Sequence, residues 1–252
     1  MSPTPARRNA FEVLSSELRY GLAFIRRHPF RLMLPFVGVL MPLWAFAALA
    51  TELREGEVFF FDVPVLAWLH TLATPGVDAF FRLVSELGYR WGVVPVDGFL
   101  LAWLTWRRRY RDGLFFGLAV LGSLALNIGA KAFFARSRPD LWLSIAPETT
   151  YSFPSGHAMG SATLAVAAIL LAWHTRWRWP VAVAGAAFVL LVGASRVYLG
   201  VHYPSDILAG WAAATAWVVA MYQFTITAPR PPASAAPRED TIASVSAAAS
   251  PD

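Results

Sequence analysis

Residues 113–134 read GLFFGLAVLGSLALNIGAKAFF, an apolar run that ends on the charged string KAFFARSRP at positions 131–139. A run of this length crosses the hydrocarbon core of a bilayer, about 30 Å thick, as an α-helix. Lys131 is the only lysine in a chain whose other basic positions are arginine. Its place at the end of this run indicates a need for an ammonium group there. The stretch therefore predicts a membrane-spanning helix with a polar group of special function at one end.

The rest of the chain has the composition of a membrane protein. Of its 252 residues 57% are hydrophobic and 15% are charged, and the mean hydropathy is +0.49. Further apolar runs flank the first, and some reach spanning length only if polar turns beside them stay helical. Together the runs cover residues 32–50, 91–106, 113–134, 158–173, 180–194 and 207–221. The sequence predicts an all-α fold, a polytopic membrane helix bundle with six transmembrane helices.

Arginine clusters set the expected orientation of this bundle. Loops rich in arginine stay in the cytoplasm. The arginines concerned are Arg7, Arg8, Arg19, Arg26, Arg27 and Arg31 before the first run, Arg107, Arg108, Arg109 and Arg111 after the second, and Arg176 and Arg178 after the fourth. Both termini are therefore expected in the cytoplasm and the alternate loops at the outer face. Because the basic residues lie between membrane segments, the net charge of +5 does not indicate a nucleic-acid partner.

The sequence predicts three regions along the chain. Residues 1–31 form a cytoplasmic N-terminal segment, either an interfacial amphipathic helix over 9–27 or a loosely structured basic tail. Residues 32–223 form the helix bundle, in which FFFDVPVLAWLHTL at 59–72 is expected to be a helix at the outer leaflet over the charged strings, followed by a turn. Residues 224–252, rich in Pro, Ala and Ser, are expected to be a disordered cytoplasmic tail.

Two absences in the sequence narrow the chemistry and the targeting. The chain has no cysteine, so thiolate chemistry and disulfides do not apply. No cleavable signal peptide is visible, and the first apolar run is expected to act as its own insertion signal.

Lys131 and Arg138 are seven residues apart, so they share one face if the third helix continues to Pro139, roughly 10 Å apart along its axis. Such a pair suits a phosphate, because Lys131 supplies a point charge and Arg138 a planar fork that makes two parallel hydrogen bonds. The alternative is a basic helix end whose side chains reach toward lipid headgroups.

The string PSGH at positions 154–157 opens the fourth predicted helix. Ser155 suits an N-cap, and Gly156 lets a ligand approach the backbone amides at the positive end of the helix dipole. His157 lies at the rim of this anion site, where it could protonate a departing oxygen. The alternative is an ordinary capped helix with an incidental histidine.

The string SRVYLGVHYPSD at positions 195–206 supplies Arg196 just after the fifth run and two further groups at the start of the sixth helix. Pro204 suits the first turn of that helix. His202 and Asp206 are four residues apart, so the carboxylate can accept from one ring nitrogen and leave the other as a nucleophile or base. The alternative is an ion pair that stabilises a short loop.

A metal site is the other interpretation of these groups. His157, His202 and Asp206 would form a set of two histidines and one carboxylate. The three cationic residues of the same strings would crowd a metal ion but suit a phosphate dianion. No metal and no cofactor are expected.

Taken in order, the three strings resemble the complete signature of the type-2 phosphatidic acid phosphatase superfamily. The resemblance implies that His202 attacks phosphorus to form a phosphohistidine, that Asp206 holds its ring, and that His157 protonates the leaving group. It further implies a phosphate pocket made of Lys131, Arg138, Ser155, Gly156 and Arg196. Family members of the membrane type dephosphorylate lipid phosphates without a metal, so 32–223 is expected to be a transmembrane phosphatase domain.

The expected activity is hydrolysis of a lipid mono- or diphosphate, of the polyprenyl diphosphate or phosphatidate type, at the outer face of a bacterial inner membrane. The expected partners are the lipid phosphate substrate and membrane lipids, with no obligate protein partner evident. Two alternatives stay open. One is a non-catalytic lipid-phosphate binder or transporter, and the other is a vanadate-dependent haloperoxidase, whose known examples are soluble.

Overall fold

The computed structural model describes Met33, residues 35–56 and residues 59–227, and every regular element in these ranges is helical. The all-α prediction is confirmed for this part of the chain. The predicted N-terminal segment and the tail beyond Thr227 lie outside the described residues. In chain order the helices are α1 (Met41–Arg54, preceded by a π-helical turn at Phe36–Leu40), α2 (Asp62–His70), α3 (Pro75–Leu87), α4 (Val93–Trp106), α5 (Tyr110–Phe134), α6 (Gly156–Ala172), α7 (Arg178–Tyr198) and α8 (Pro204–Tyr222).

Helix length separates the predicted spans into two groups. Four helical stretches of the described chain are long and apolar enough to cross a membrane. They are Phe36–Arg54, Tyr110–Phe134, Arg178–Tyr198 and Pro204–Ile226. The other two predicted spans form α4, with 14 residues, and α6, with 17. At 1.5 Å per residue they measure about 21 and 26 Å, short of the core thickness. For these two the crossing stays a prediction.

Small residues let α6 and α8 pack closely. Ala158 and Ala162 of α6 and Ala209 and Ala214 of α8 are buried, and small residues are how membrane helices approach one another. A Cβ on Gly210 would lie 2.9 Å from the carbonyl oxygen of Ser155. This packing brings the starts of α6 and α8 together. We call the end of the bundle where α6 and α8 begin and α5 ends the site end.

The end of α5 differs from the prediction for Lys131 and Arg138. The helix stops at Phe134, and Ala135 adopts a left-handed conformation with φ of 46°. Such a residue turns the chain out of the helix, and a residue that precedes proline disfavours helical backbone. Arg138 therefore lies in a non-helical loop, and the expectation that it shares a helix face with Lys131 is wrong.

The helix predicted within 59–72 is present as α2, and a second helix, α3, follows it where only a turn was predicted. The Thr74 side chain accepts from the Val77 backbone N–H, and Pro75 occupies the first turn of α3. Tyr198 at the end of α7 donates to Asp78 of α3 at 2.5 Å. We call α2 and α3 the cap helices because they lie against the site end of α7 and α8.

Two boundaries of the last helices also differ from expectation. α7 runs on to Tyr198, so Arg196 lies in its last turn and not after it. α8 begins at Pro204, as predicted, and continues into a π-helical turn at Gln223–Thr227. The helical structure therefore passes the predicted start of the tail at residue 224.

Candidate active site

His202 and Asp206 meet at the start of α8, as their spacing predicts. His202 Nδ1 lies 3.4 Å from Asp206 Oδ2, and both side chains are buried. The Ser152 hydroxyl donates to the same carboxylate oxygen and lies 3.3 Å from His202 Nδ1. The Tyr203 backbone N–H also donates to this oxygen, at 2.9 Å. The imidazole is therefore held in one position from its Nδ1 side.

The other ring nitrogen of His202 has an arginine as its neighbour. Arg138 Nη1 lies 3.2 Å from His202 Nε2. A guanidinium has only donors, so Nε2 must accept and the ring proton must sit on Nδ1, where it faces Asp206. His202 thus presents a lone pair at Nε2, which is the state that a nucleophile or base requires.

Burial lowers the pKa of His202 to about 4, although the hydrogen bond and charge of Asp206 act in the opposite direction. At neutral pH the ring is therefore uncharged. This agrees with the lone pair that the contact with Arg138 assigns to Nε2.

Arg136 links Asp206 to the cap helices. Its Nη1 donates to Asp206 Oδ1 at 2.5 Å, and its Nη2 donates to Asp62 Oδ2 at 2.9 Å. Asp62 also accepts from the Ser205 backbone N–H at 2.9 Å and from the Ser205 hydroxyl at 2.6 Å. A buried ion pair is tolerated when its remaining polar atoms are hydrogen-bonded. This network fixes the carboxylate that orients His202.

Arg136 and Arg138 both reach the His202–Asp206 pair because the chain is not helical after Ala135. In extended backbone, residues two apart face the same side, whereas on a helix they point about 200° apart. Because α5 ends before these residues, both arginines contact the His202–Asp206 pair, whereas in a continuous helix only one of them would face it.

Lys131 and Arg138 come together through the loop that precedes α6. Lys131 Nζ donates to Thr150 Oγ1 at 3.0 Å and to the Tyr151 carbonyl at 2.6 Å. Arg138 Nε donates to the Thr150 carbonyl at 2.7 Å. The two cations of the first string are therefore neighbours, as expected, although a loop and not a helix face brings them together.

The Glu148 carboxylate lies among the predicted phosphate ligands. Its Oε2 accepts from Arg138 Nη2 at 2.8 Å, its Oε1 accepts from Arg196 Nη2, and His157 Nδ1 lies 4.0 Å from Oε1. Burial alone would raise the pKa of Glu148, but Arg196 and Arg138 lower it to about 2. The ionised carboxylate holds the two arginines as two phosphoryl oxygens would.

Arg196 is buried in the last turn of α7 and offers a further donor. Its Nη1 donates to Ser85 Oγ of α3. Its Nε has no hydrogen-bond partner within the part of the chain that the structure describes. An unsatisfied donor on a buried guanidinium suits an anion. In the same described part, no group of three or more His, Cys, Asp or Glu side chains is arranged to hold a metal ion.

The PSGH string forms the first turn of α6. Ser155 Oγ accepts from the Ala158 backbone N–H at 3.5 Å, so the predicted N-cap is confirmed. A Cβ on Gly156 would lie 3.1 Å from Asn127 Oδ1, so the glycine also lets α6 begin against α5. Gly156 and His157 line a cavity, whereas Ser155 is buried behind it. A contact between Ser155 and phosphate stays a prediction.

Two cavities share Tyr89, Glu148 and His157 as wall residues. The first, of about 470 Å³, lies between α4, α5 and α6, and we call it the apolar cavity. Its apolar wall includes Val93, Val94, Val120, Leu124 and Ile128. The second, of about 510 Å³, lies beside α3, and we call it the charged cavity. Its charged wall residues include Arg82, Glu86, Arg90 and Arg196.

Sequence reasoning missed four residues of this site. Arg136 lies within the first quoted string but was not selected, and Asp62 lies within the segment predicted to be a helix over the strings. Glu148 and Ser152 carry no local signal, because each is identified only by contacts with residues distant in sequence.

Comparison with known proteins agrees with this geometry. The model of the family described as the PAP2 superfamily matches residues 112–230, which contain all three strings. An undecaprenyl-diphosphatase from Sulfolobus acidocaldarius is 28% identical over 70% of this chain and 84% of that protein. A decaprenylphosphoryl-5-phosphoribose phosphatase from Mycobacterium tuberculosis is 31% identical over 54% of this chain and 73% of that protein.

A solved structure has the same fold. The crystal structure of a transmembrane PAP2-type phosphatidylglycerolphosphate phosphatase from Bacillus subtilis superposes with a TM-score of 0.64 at 27% identity. The match covers 78% of this chain and 98% of that one. The likeness therefore extends well beyond the three strings.

Proposed function

Since the chain belongs to the PAP2 superfamily and is a membrane phosphatase, we propose that it hydrolyses a lipid mono- or diphosphate through a phosphohistidine on His202. The observation that carries the mechanism is the pair of contacts on one imidazole. Asp206 faces Nδ1 and Arg138 donates to Nε2, so the lone pair is directed at the cationic pocket.

In the first step His202 Nε2 attacks phosphorus and the bond from phosphorus to the leaving oxygen breaks. His157 donates its proton to that oxygen, which leaves as the lipid alcohol or as the shorter lipid phosphate. The phosphoryl oxygens replace His202 Nε2 and Glu148 as acceptors for Arg138 and Arg196. The other residues of the pocket form no covalent bond with the phosphoryl group. They act by positioning it and by stabilising its charge.

In the second step water attacks the phosphorus of the phosphohistidine. His157, now neutral, takes a proton from that water, and the bond from phosphorus to Nε2 breaks. Inorganic phosphate is released and both histidines return to their starting states. Asp206 stays ionised throughout and holds the Nδ1 proton in place, which keeps Nε2 as the attacking atom.

The apolar cavity supports a lipid as the substrate. It reaches from His157 between α4, α5 and α6, and its volume is in the range of a ligand site. Polyprenyl diphosphates and phosphatidate-type lipids are the substrates to test first. We further infer that the site end faces the periplasm of a bacterial inner membrane, because the arginine-rich loops at 107–111 and 176–178 lie at the opposite ends of the helices.

The test is phosphate release by the purified protein in detergent from a panel of lipid phosphates, with substrate labelled at the terminal phosphate. We expect turnover that survives chelator and an acid-labile label on the protein. His202→Ala should lose both, while His174→Ala, a histidine outside the site, should keep both. Equal activity in wild type and His202→Ala would refute the mechanism, and lipid binding that survives without turnover would favour a binder.

A further inference from the structure

Asp97 is a carboxylate that the proposed reaction does not use. It lies on α4, one helical turn past Val93, and lines the apolar cavity. Its Oδ1 is buried and has no hydrogen-bond partner among the described residues. A carboxylate left unpaired in an apolar wall is costly, so a partner that it can accept from is expected.

Ser123, on the facing helix α5, is a second acceptor in the same cavity. Thr163 donates its only hydroxyl hydrogen to the Met159 carbonyl at 2.8 Å. The contact of 2.7 Å between Ser123 Oγ and Thr163 Oγ1 must therefore use the hydrogen of Ser123. The lone pairs of Ser123 remain available. Both groups therefore favour a ligand that donates hydrogen bonds.

The depth of these acceptors follows from helix geometry. α4 and α6 run in the same direction, since α5 runs antiparallel to each, and a Cβ on Gly160 would lie 3.8 Å from Val93 Cγ1. Gly160 is three residues beyond His157, and Asp97 is four beyond Val93. At 1.5 Å per residue the Asp97 backbone lies roughly 10 Å below His157. Side chains on both helices tilt toward the N-terminus, so the carboxylate and the imidazole keep about this separation along the axis.

We infer that Asp97 and Ser123 form a second polar subsite that accepts hydrogen bonds from a hydroxyl- or amine-bearing linker between the phosphate and the lipid tail. The inference rests on the proposed function and narrows its substrate class. A sugar or polyol phosphate joined to a lipid places donors at this distance. A prenyl diphosphate places hydrocarbon there, and a phosphatidate places ester oxygens that only accept, so neither supplies a hydrogen-bond donor to these acceptors.

The test compares three substrates with the same tail: hexadecyl glucoside 6-phosphate, its analogue with every free hydroxyl methylated, and hexadecyl phosphate. Wild type is expected to prefer the free hydroxyls over the methylated analogue by about tenfold or more in kcat/KM, the effect of a buried acceptor left unpaired. Asp97→Leu should bring the ratio close to one while it keeps or raises the turnover of hexadecyl phosphate.

Two further variants test whether the substrate preference comes from this subsite. Ser123→Ala should reduce the preference in part, and Asp112→Asn, which removes a carboxylate at the far end of α5, should leave it unchanged. A wild-type ratio near one, or a preference that persists in both Asp97→Leu and Ser123→Ala, overturns the subsite. If hexadecyl phosphate is hydrolysed by wild type and not by His202→Ala, the proposed function stands whatever the ratio. If wild type hydrolyses none of the three, both proposals fail together.

Discussion

The two histidines of the site are held in opposite ways. His202 is fully buried, and both of its nitrogens have protein partners. His157 stands in the wall shared by two cavities, with Glu148 4.0 Å away and the Tyr89 ring 5.1 Å away between centroids. A nucleophile benefits from one fixed tautomer, whereas a group that gives and takes a proton in each cycle needs room and access to water. The difference in packing therefore matches the roles proposed for the two side chains.

Asp206→Asn should produce the largest effect of the changes that leave both imidazoles in place. The amide of asparagine can turn its NH₂ toward Nδ1, which would move the ring proton to Nε2 and remove the attacking lone pair. We expect kcat to fall by about 10³ to 10⁴. The measurement is steady-state phosphate release, with Asp112→Asn as the matched control. A loss of less than tenfold would show that His202 does not depend on its fixed tautomer.

His157→Ala should cost less, about 10² to 10⁴ in kcat with an alkyl leaving group. The loss should shrink when the leaving group is a good one, such as a nitrophenolate, because that oxygen departs without a proton. Labelled phosphoenzyme should then accumulate, since water attack still lacks its base. Measuring kcat against the leaving-group pKa distinguishes this role from a structural one. An identical loss for all leaving groups would contradict it.

Some of the contacts that hold these two histidines could be predicted from the sequence, and others could not. The Ser155 cap, the start of α8 at Pro204 and the meeting of His202 with Asp206 follow from rules that act within four residues. Local reasoning failed at Ala135, because the left-handed conformation that ends α5 usually marks glycine and here falls on alanine.

Contacts between distant parts of the chain were equally beyond sequence reasoning. Asp62 reaches Ser205 and Arg136 from the cap helices, and Glu148 reaches Arg196 from a loop. No pattern within one element predicts which acidic residue will meet which cation. The length of α4 was left open in the same way, since a hydropathy run does not show whether the polar turn before Val93 stays helical.

Arg138→Lys should lower kcat/KM by about 10², because an ammonium cannot contact His202 Nε2 and two phosphoryl oxygens with the geometry of a fork. This loss should come from a lower kcat more than from a higher KM. Arg178→Lys, at the opposite end of α7, is the matched control. A rate within threefold of wild type would remove Arg138 from the phosphate pocket.

The smallest expected effect is on the pH profile, which reports the protonation of His202. Burial lowers the pKa of His202 to about 4, so its neutral, nucleophilic form persists until the pH falls through that value. The acid limb of kcat/KM contributed by His202 should therefore lie near pH 4 and not near the ordinary value of about 6.5. Because Asp206 raises the pKa of His202, Asp206→Asn should move this limb to still lower pH.

Protein stability should follow the same titration. The unfolded chain protonates His202 near pH 6.5 and the folded protein only near 4. The contribution of His202 is therefore fully present above pH 6.5 and is lost as the pH falls toward 4. Thermal unfolding of wild type and His202→Gln over this range checks it, since the variant should lack that part of the pH dependence. An acid limb or stability loss centred near pH 6.5 would show that the ring is accessible to solvent.

The wall of Tyr89, Glu148 and His157 between the apolar and charged cavities has a kinetic consequence. In the proposed mechanism His157 of this wall serves both steps, so water attacks phosphorus from the position that the leaving oxygen has vacated. The lipid alcohol should therefore leave first and inorganic phosphate last. Inorganic phosphate should then inhibit in competition with the lipid phosphate substrate, whereas the lipid alcohol should inhibit without competing with it.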